Sequence, residues 1–309
     1  MKTVRLAAAA ATTAAAGAFV ALPCAFAAPL APAALPTPAR LAALAFPGWT
    51  DSTAGRVHSA SLPQLPGMAQ AAYPGWQAGA NRVRVEPRLV LRTDATHATL
   101  IAGLVPAGAD GRSVAAHATP MALAAYQFEH RGNAWRVSGR QGVFALRGFA
   151  GGAAVRALAL APGHPAVAVE YGSCWQGYCG TWLAVYEAGP GMVGREPAVE
   201  LALSGINVDS APDCQRRLAA LLKPHAWDVA ARSAGGADPH DCYAIDSSWT
   251  IGAAHDVPGD FVIRYHGAIS RAAAHAGAGA ADTIDQRQVL RYRNGRYRAV
   301  SGFSPVPGI

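Results

Sequence analysis

From Arg82 to Val300 the chain is divided into short apolar or alternating segments separated by Gly, Pro, Asn and Asp, and this punctuation limits its architecture more than any other feature. Arg82–Glu86, Thr99–Val105, Ala124–Glu129, Trp135–Val137, Val155–Leu160, Ala166–Tyr171, Trp182–Glu187, Val199–Leu203, Trp249–Ile251, Phe261–Tyr265, Val289–Tyr292 and Tyr297–Val300 all read as strands. Spacings that are too short for crossover helices predict an antiparallel all-β domain: a sandwich, a barrel or a propeller-like meander. One helix is expected near 211–222, where Ser210 serves as N-cap, Leu218, Leu221 and Leu222 form the apolar stripe and Lys223-Pro224 ends it.

The first 27 residues have the grammar of an export leader. Lys2 and Arg5 are followed by an uncharged run from Leu6 to Leu22, and Ala25-Phe-Ala27 supplies small residues for cleavage. Pro23 directly before Cys24 argues against lipid attachment, and no second apolar run is long enough to span a bilayer. The expected location is periplasmic or secreted. The formal charge of +7 falls by two when Lys2 and Arg5 leave. Because Lys2 and Lys223 are the only lysines, the basicity is an arginine bias, and nucleic acid is not an expected partner.

Residues 28–80 read as an Ala/Pro-rich, partly ordered arm. Thr37-Pro38 has the form of an N-cap and first helical residue ahead of a short apolar turn to Phe46. Phe46-Pro-Gly-Trp49 recurs as Tyr73-Pro-Gly-Trp76, a pair of turns whose tryptophans would pin the arm to the main domain at 81–309.

Four cysteines remain beyond the leader, and an even number in an oxidising compartment predicts two disulfides. Three connectivities are possible. Cys174 with Cys179 is favoured because flanking strands make Trp175-Gln-Gly-Tyr178 a tight loop, which leaves Cys214 to tie an insertion at 210–245 to Cys242. The spacings lack the short knuckles of a zinc site, and no cofactor is expected. A closed loop that carries Trp175 and Tyr178 is the first candidate recognition element.

Gly172-Ser-Cys174-Trp175 resembles the nucleophile motif of papain-like cysteine proteases, and Asp246-Ser-Ser-Trp249 resembles their Asn-Ser-Trp. Tyr171 replaces the motif's preceding cysteine, the upstream Gln is missing, the flanks are strand-like and His225 follows too closely, so no catalytic roles are carried over. An alternative periplasmic hydrolase would take an acid-base pair from His240, Asp241, His255 and Asp256, although Asp-Pro and Pro-Gly-Asp nearby are ordinary turn chemistry.

Arg293-Asn-Gly-Arg296 is a two-residue hairpin signal that fixes its own register. Arg293 should face Arg296, Tyr292 face Tyr297, and Arg291 face Arg298, with Leu290, Tyr292, Tyr297 and Ala299 on the core side. Directly opposed like charges need a compensating anion, either a carboxylate on a neighbouring strand or an anionic ligand. The sequence therefore predicts a non-catalytic, disulfide-stabilised β module of the bacterial envelope. Its expected partner is cell-wall polymer, lipopolysaccharide or an envelope protein.

Overall fold

The computed structural model describes residues 34–50, 57–61, 75–77, 80–209, 214–218, 241–252, 257–271 and 281–307. It is mostly antiparallel β, in two sheets. The first contains β1 (His58–Ser61), β2 (Ala80–Arg92), β3 (His97–Pro106), β4 (Met121–Arg131) and β5 (Ala134–Arg147), paired in chain order. The second contains β6 (Ala154–Ala161), β7 (His164–Trp175), β8 (Tyr178–Gly189), β9 (Met192–Val193), β10 (Val199–Ile206), β11 (Cys242–Ile251), β12 (Phe261–Ser270), β13 (Asp282–Arg293) and β14 (Arg296–Ser301). Its order runs β14-β13-β12-β11-β10-β8-β7-β6, with β9 pairing on β8. Among the described residues there are two helices, α1 (Pro38–Ala45) and the single turn α2 (Cys214–Leu218). The rest of the helix expected at 211–222, with its Ser210 cap, lies outside the described residues.

β3 and β4 are buried along nearly their whole length, because both faces of the first sheet are covered. On one face Leu41, Ala42, Ala45 and Phe46 of the α1 segment, with Trp76, pack on Leu100, Leu104, Tyr126 and Phe128. Thr37 caps α1 by accepting from the Arg40 N–H at 3.3 Å, and Pro38 fills a position that needs no donor. Trp76 donates to the Pro120 carbonyl at 2.9 Å and Trp49 to the Val85 carbonyl at 3.1 Å, which ties both turn tryptophans to this sheet. On the other face Ile101, Leu123 and Phe144 meet Val167, Val169, Ala184 and Tyr186 of the second sheet. The strands that cross these layers lack strict polar alternation for this reason.

Pro87 cannot donate within β2 and sits at a register shift, beyond the stretch from Ala80 to Val83 that β1 covers. The second sheet curls back on itself. The Tyr297 N–H reaches the Ala198 carbonyl at 2.7 Å, the Tyr297 hydroxyl donates to Gly259 O at 3.0 Å, and the Gly259 N–H donates to Leu160 O at 3.0 Å. Inside the curl Leu183, Val185, Ile245, Phe261, Ile263, Tyr265 and Leu290 form a core of their own. A fourth cluster gathers Val208, Leu218 and Ala268 around the Cys214–Cys242 disulfide.

Tyr126 and Tyr186 lie in these cores. Burial pushes both phenols up to about 12, against weaker opposition from Arg140 and Arg147 respectively. The folded state therefore keeps both protons between pH 10 and 12 while the unfolded chain loses them, and stability falls as pH rises through that window. Denaturant titrations should show a steady loss above pH 10, approaching about 1.4 kcal/mol per pH unit for each phenol, with none of it at neutral pH. An unchanged unfolding midpoint across the window would contradict the packing of these two rings.

Candidate functional site

β7 and β8 pair to their ends, which places Cys174 opposite Cys179 and Trp175 opposite Tyr178. Gln176 and Gly177 make the turn with φ of 50° and 84°, the left-handed pair that matches strand twist, and the Cys174–Cys179 disulfide closes the hairpin one residue behind the tip. Trp175 is 62% exposed, whereas Tyr178 is half-buried against the core of the second sheet. His117, from the loop between β3 and β4, donates its Nε2–H to the Cys174 carbonyl. Its ring lies 6.1 Å from the Trp175 indole and edge-on to Phe149 at 5.0 Å. The tip is thus braced from the other sheet while its indole faces solvent. Cys174 has no thiolate to offer and stands in a strand, so the papain-like motif carries none of that chemistry here.

β11 pairs with β10 only at Gly205 and Ile206, so the second sheet opens beside residues 199–203. A groove of about 840 Å³ fills the opening, lined in part by Trp182, Glu200, Gln288, Arg296, Tyr297 and Val306. Trp182 stacks on Tyr171 with centroids 5.9 Å apart. The Tyr171 hydroxyl donates to Glu200 at 2.5 Å, and Arg147 donates to the same carboxylate at 2.9 Å while covering the Tyr171 ring. Burial, and then the bond to Glu200, push the Tyr171 phenol well above its ordinary range. Burial works against the Arg147 charge, but Tyr186, Glu200 and Tyr171 outweigh it. Arg147 belongs to β5, so this network also fastens one sheet to the other.

The C-terminal hairpin has the register its turn implies, with Arg293 against Arg296, Tyr292 against Tyr297 and Arg291 against Arg298. Ala299 is the correction. It pairs with Leu290, yet it is exposed, because the register shifts between Val289 and Leu290 and the edge strand turns away from the core. Two of the four arginines find carboxylates: Arg291 grips Asp260 at 3.1 and 2.8 Å, and Arg296 pairs with Glu196. The Arg291 guanidinium holds the Asp260 carboxyl below the usual carboxylate range. Arg293 and Arg298 have no ion pair among the described residues. Val185, beside the Ala198–Tyr297 contact, and Tyr178 at the tip are seven positions apart on β8, or roughly 20–25 Å. The arginine hairpin and the tryptophan hairpin are therefore separate surfaces.

Of the alternative acid-base set, His240, His255 and Asp256 lie outside the described residues. Asp241 is described, and its carboxylate meets Arg271 at 3.4 Å. Among the described residues no group of His, Cys, Asp and Glu is arranged to hold a metal ion, and no helix is long and apolar enough to cross a membrane. Sequence reasoning missed the His117 brace and the Arg147–Glu200–Tyr171 network, since both join segments whose approach no local pattern signals. Comparison with family models, curated proteins and solved structures finds no match to this chain in any of the three.

Proposed function

We propose that this protein is an exported, non-catalytic binding module of the bacterial envelope that engages a glycan or anionic polymer, or a protein partner, through the Trp175 hairpin. The observation that carries the proposal is the 62% exposure of Trp175 on a hairpin that is closed covalently and braced by His117. An exposed indole offers a partner a large apolar area with a polar N–H, and a rigid platform lowers the entropy lost when that partner arrives. The leader in the sequence supports export. The two disulfides fit an oxidising compartment.

Retention of the chain from Ala28 onward on isolated cell-wall sacculi and on lipopolysaccharide tests this. Trp175→Ala should weaken retention about thirty-fold, the equivalent of about 2 kcal/mol for a central aromatic anchor. It should leave the unfolding midpoint unchanged, because the indole packs little. Retention of the variant equal to that of the parent would remove the hairpin from the binding surface.

A further inference from the structure

The outer face of the second sheet carries a larger cationic array than the C-terminal turn alone. On β12 and β13, Arg264 stands directly opposite Arg287, on the same side as Val262 and Val289. Two positions beyond Val289 on β13 comes Arg291, opposite Arg298, followed by Arg293 opposite Arg296. Three like-charged cross-strand pairs thus lie on a single face, the first set apart from the other two by the row of Val262 and the buried Val289. Such pairs destabilise a sheet unless an anion lies between them. Asp260 and Glu196 compensate Arg291 and Arg296. Arg264, Arg287, Arg293 and Arg298 are exposed and have no ion pair or side-chain hydrogen bond among the described residues. Asp246, His266 and Asp285 form the next row across the same face, within sequence reach of Arg264 and Arg287, yet make no ion pair with them.

Beside this array the edge leaves apolar side chains in water. Val300 of β14 is 43% exposed and Phe303, just after it, is 66% exposed. Guanidinium groups beside an exposed phenyl and an isopropyl group match an interface with phosphate at one depth and hydrocarbon just below it. We propose that this face docks on an anionic lipid bilayer, with Arg264, Arg287, Arg293 and Arg298 on headgroup phosphates and Phe303 entering the acyl boundary. It is a second surface, distinct from the Trp175 hairpin, and it does not depend on what that hairpin binds.

Co-sedimentation of the chain from Ala28 with vesicles tests the proposal. The protein should pellet with mixed phosphatidylcholine and phosphatidylglycerol and stay in solution with phosphatidylcholine alone, and high salt should release it. Replacing Arg264, Arg287, Arg293 and Arg298 with Gln should lower partitioning about five-fold for each arginine removed, and Phe303→Ser should lower it further. Arg112→Gln with Arg136→Gln removes exposed charge from the first sheet and its β3–β4 loop, and should cost much less per residue than the face variants. Trp175→Ala should leave vesicle binding unchanged, so failure here is distinguishable from failure of the hairpin reading. The quadruple variant must keep the parent's unfolding midpoint, which relief of repulsion should preserve or raise. The proposal is overturned by any of three results: no binding of the parent to anionic vesicles, equal losses per charge in the control pair, or indifference to Phe303→Ser. The last would mean that the arginines meet anionic charge alone and that nothing enters the acyl boundary.

Discussion

Gly267→Ala should cost about 3–5 kcal/mol and lower the unfolding midpoint far below the parent's, because β12 has no room for a methyl group at that point. A Cβ at Gly267 would lie 2.1 Å from the Ala244 carbonyl oxygen and 2.8 Å from the Ile245 Cα, in a backbone conformation with φ of +146° that side chains rarely adopt. Ile245 is the cross-strand partner of Gly267, so relieving the clash means separating β11 from β12. β11 pairs with β10 at only two positions, extended by Asn207, which bonds to Tyr243 and to the Asp241 carbonyl, so a displaced β11 loosens one of the two seams that close this sheet. Gly163→Ala provides the comparison. Its φ of +74° is equally unfriendly to alanine, but nothing lies within 4 Å, so only the dihedral cost of about 1 kcal/mol should appear. Urea midpoints for the two variants separate the clash from the dihedral, and equal shifts would mean the strands yield where the packing says they cannot.

The second large effect concerns the two disulfides, which should differ in weight. Cys214–Cys242 closes a loop of 28 residues, and the chain-entropy estimate for its loss is about 3–4 kcal/mol. Both of its cysteines are fully buried, inside the small cluster of Val208, Leu218 and Ala268, so the double Ser variant also places hydroxyls among apolar groups. Cys174–Cys179 closes only five residues, for about 2 kcal/mol, and the ladder below it already holds the strands together. Thermal unfolding of the two double-serine variants should rank them in that order. The reverse order would show that the braced tip, and not the buried tie, limits stability.

Sequence patterning revealed the class of fold and most of its strands because each buried strand announces itself over a few residues. Leu100, Ala102 and Leu104 alternate with Ile101 and Val105 toward two different cores, so β3 reads as a strand without reference to any neighbour. The two-sheet arrangement was not legible in the same way. β10 bears the same local signal whether it pairs along its whole length or, as here, releases β11 after two positions. The hairpin at Asn294-Gly295 disclosed its register because a two-residue turn permits only one, and both of its arginine pairs could be read from the sequence. The opposition of Arg264 and Arg287 could not, since β12 and β13 are joined through the low-complexity stretch from Ala272 to Ala281, whose length sets no register. The Trp175 hairpin was found by its cysteines. Its His117 brace lies 57 residues upstream in a loop with no motif to mark it.

The Tyr297–Ala198 bond has a further meaning for the order in which the molecule can be completed. The first sheet uses one continuous stretch of chain, residues 58–147, and each strand pairs with the one just made. The second closes only when β14 reaches back to the residue before β10. A chain that emerges from its N-terminus can therefore finish half of its structure early, but it must hold Phe261, Ile263 and Leu290 uncovered until β14 arrives. Closure of the second sheet is thus tied to the arrival of β14, which keeps that half of the structure open to being handled as an extended polymer until this strand is made.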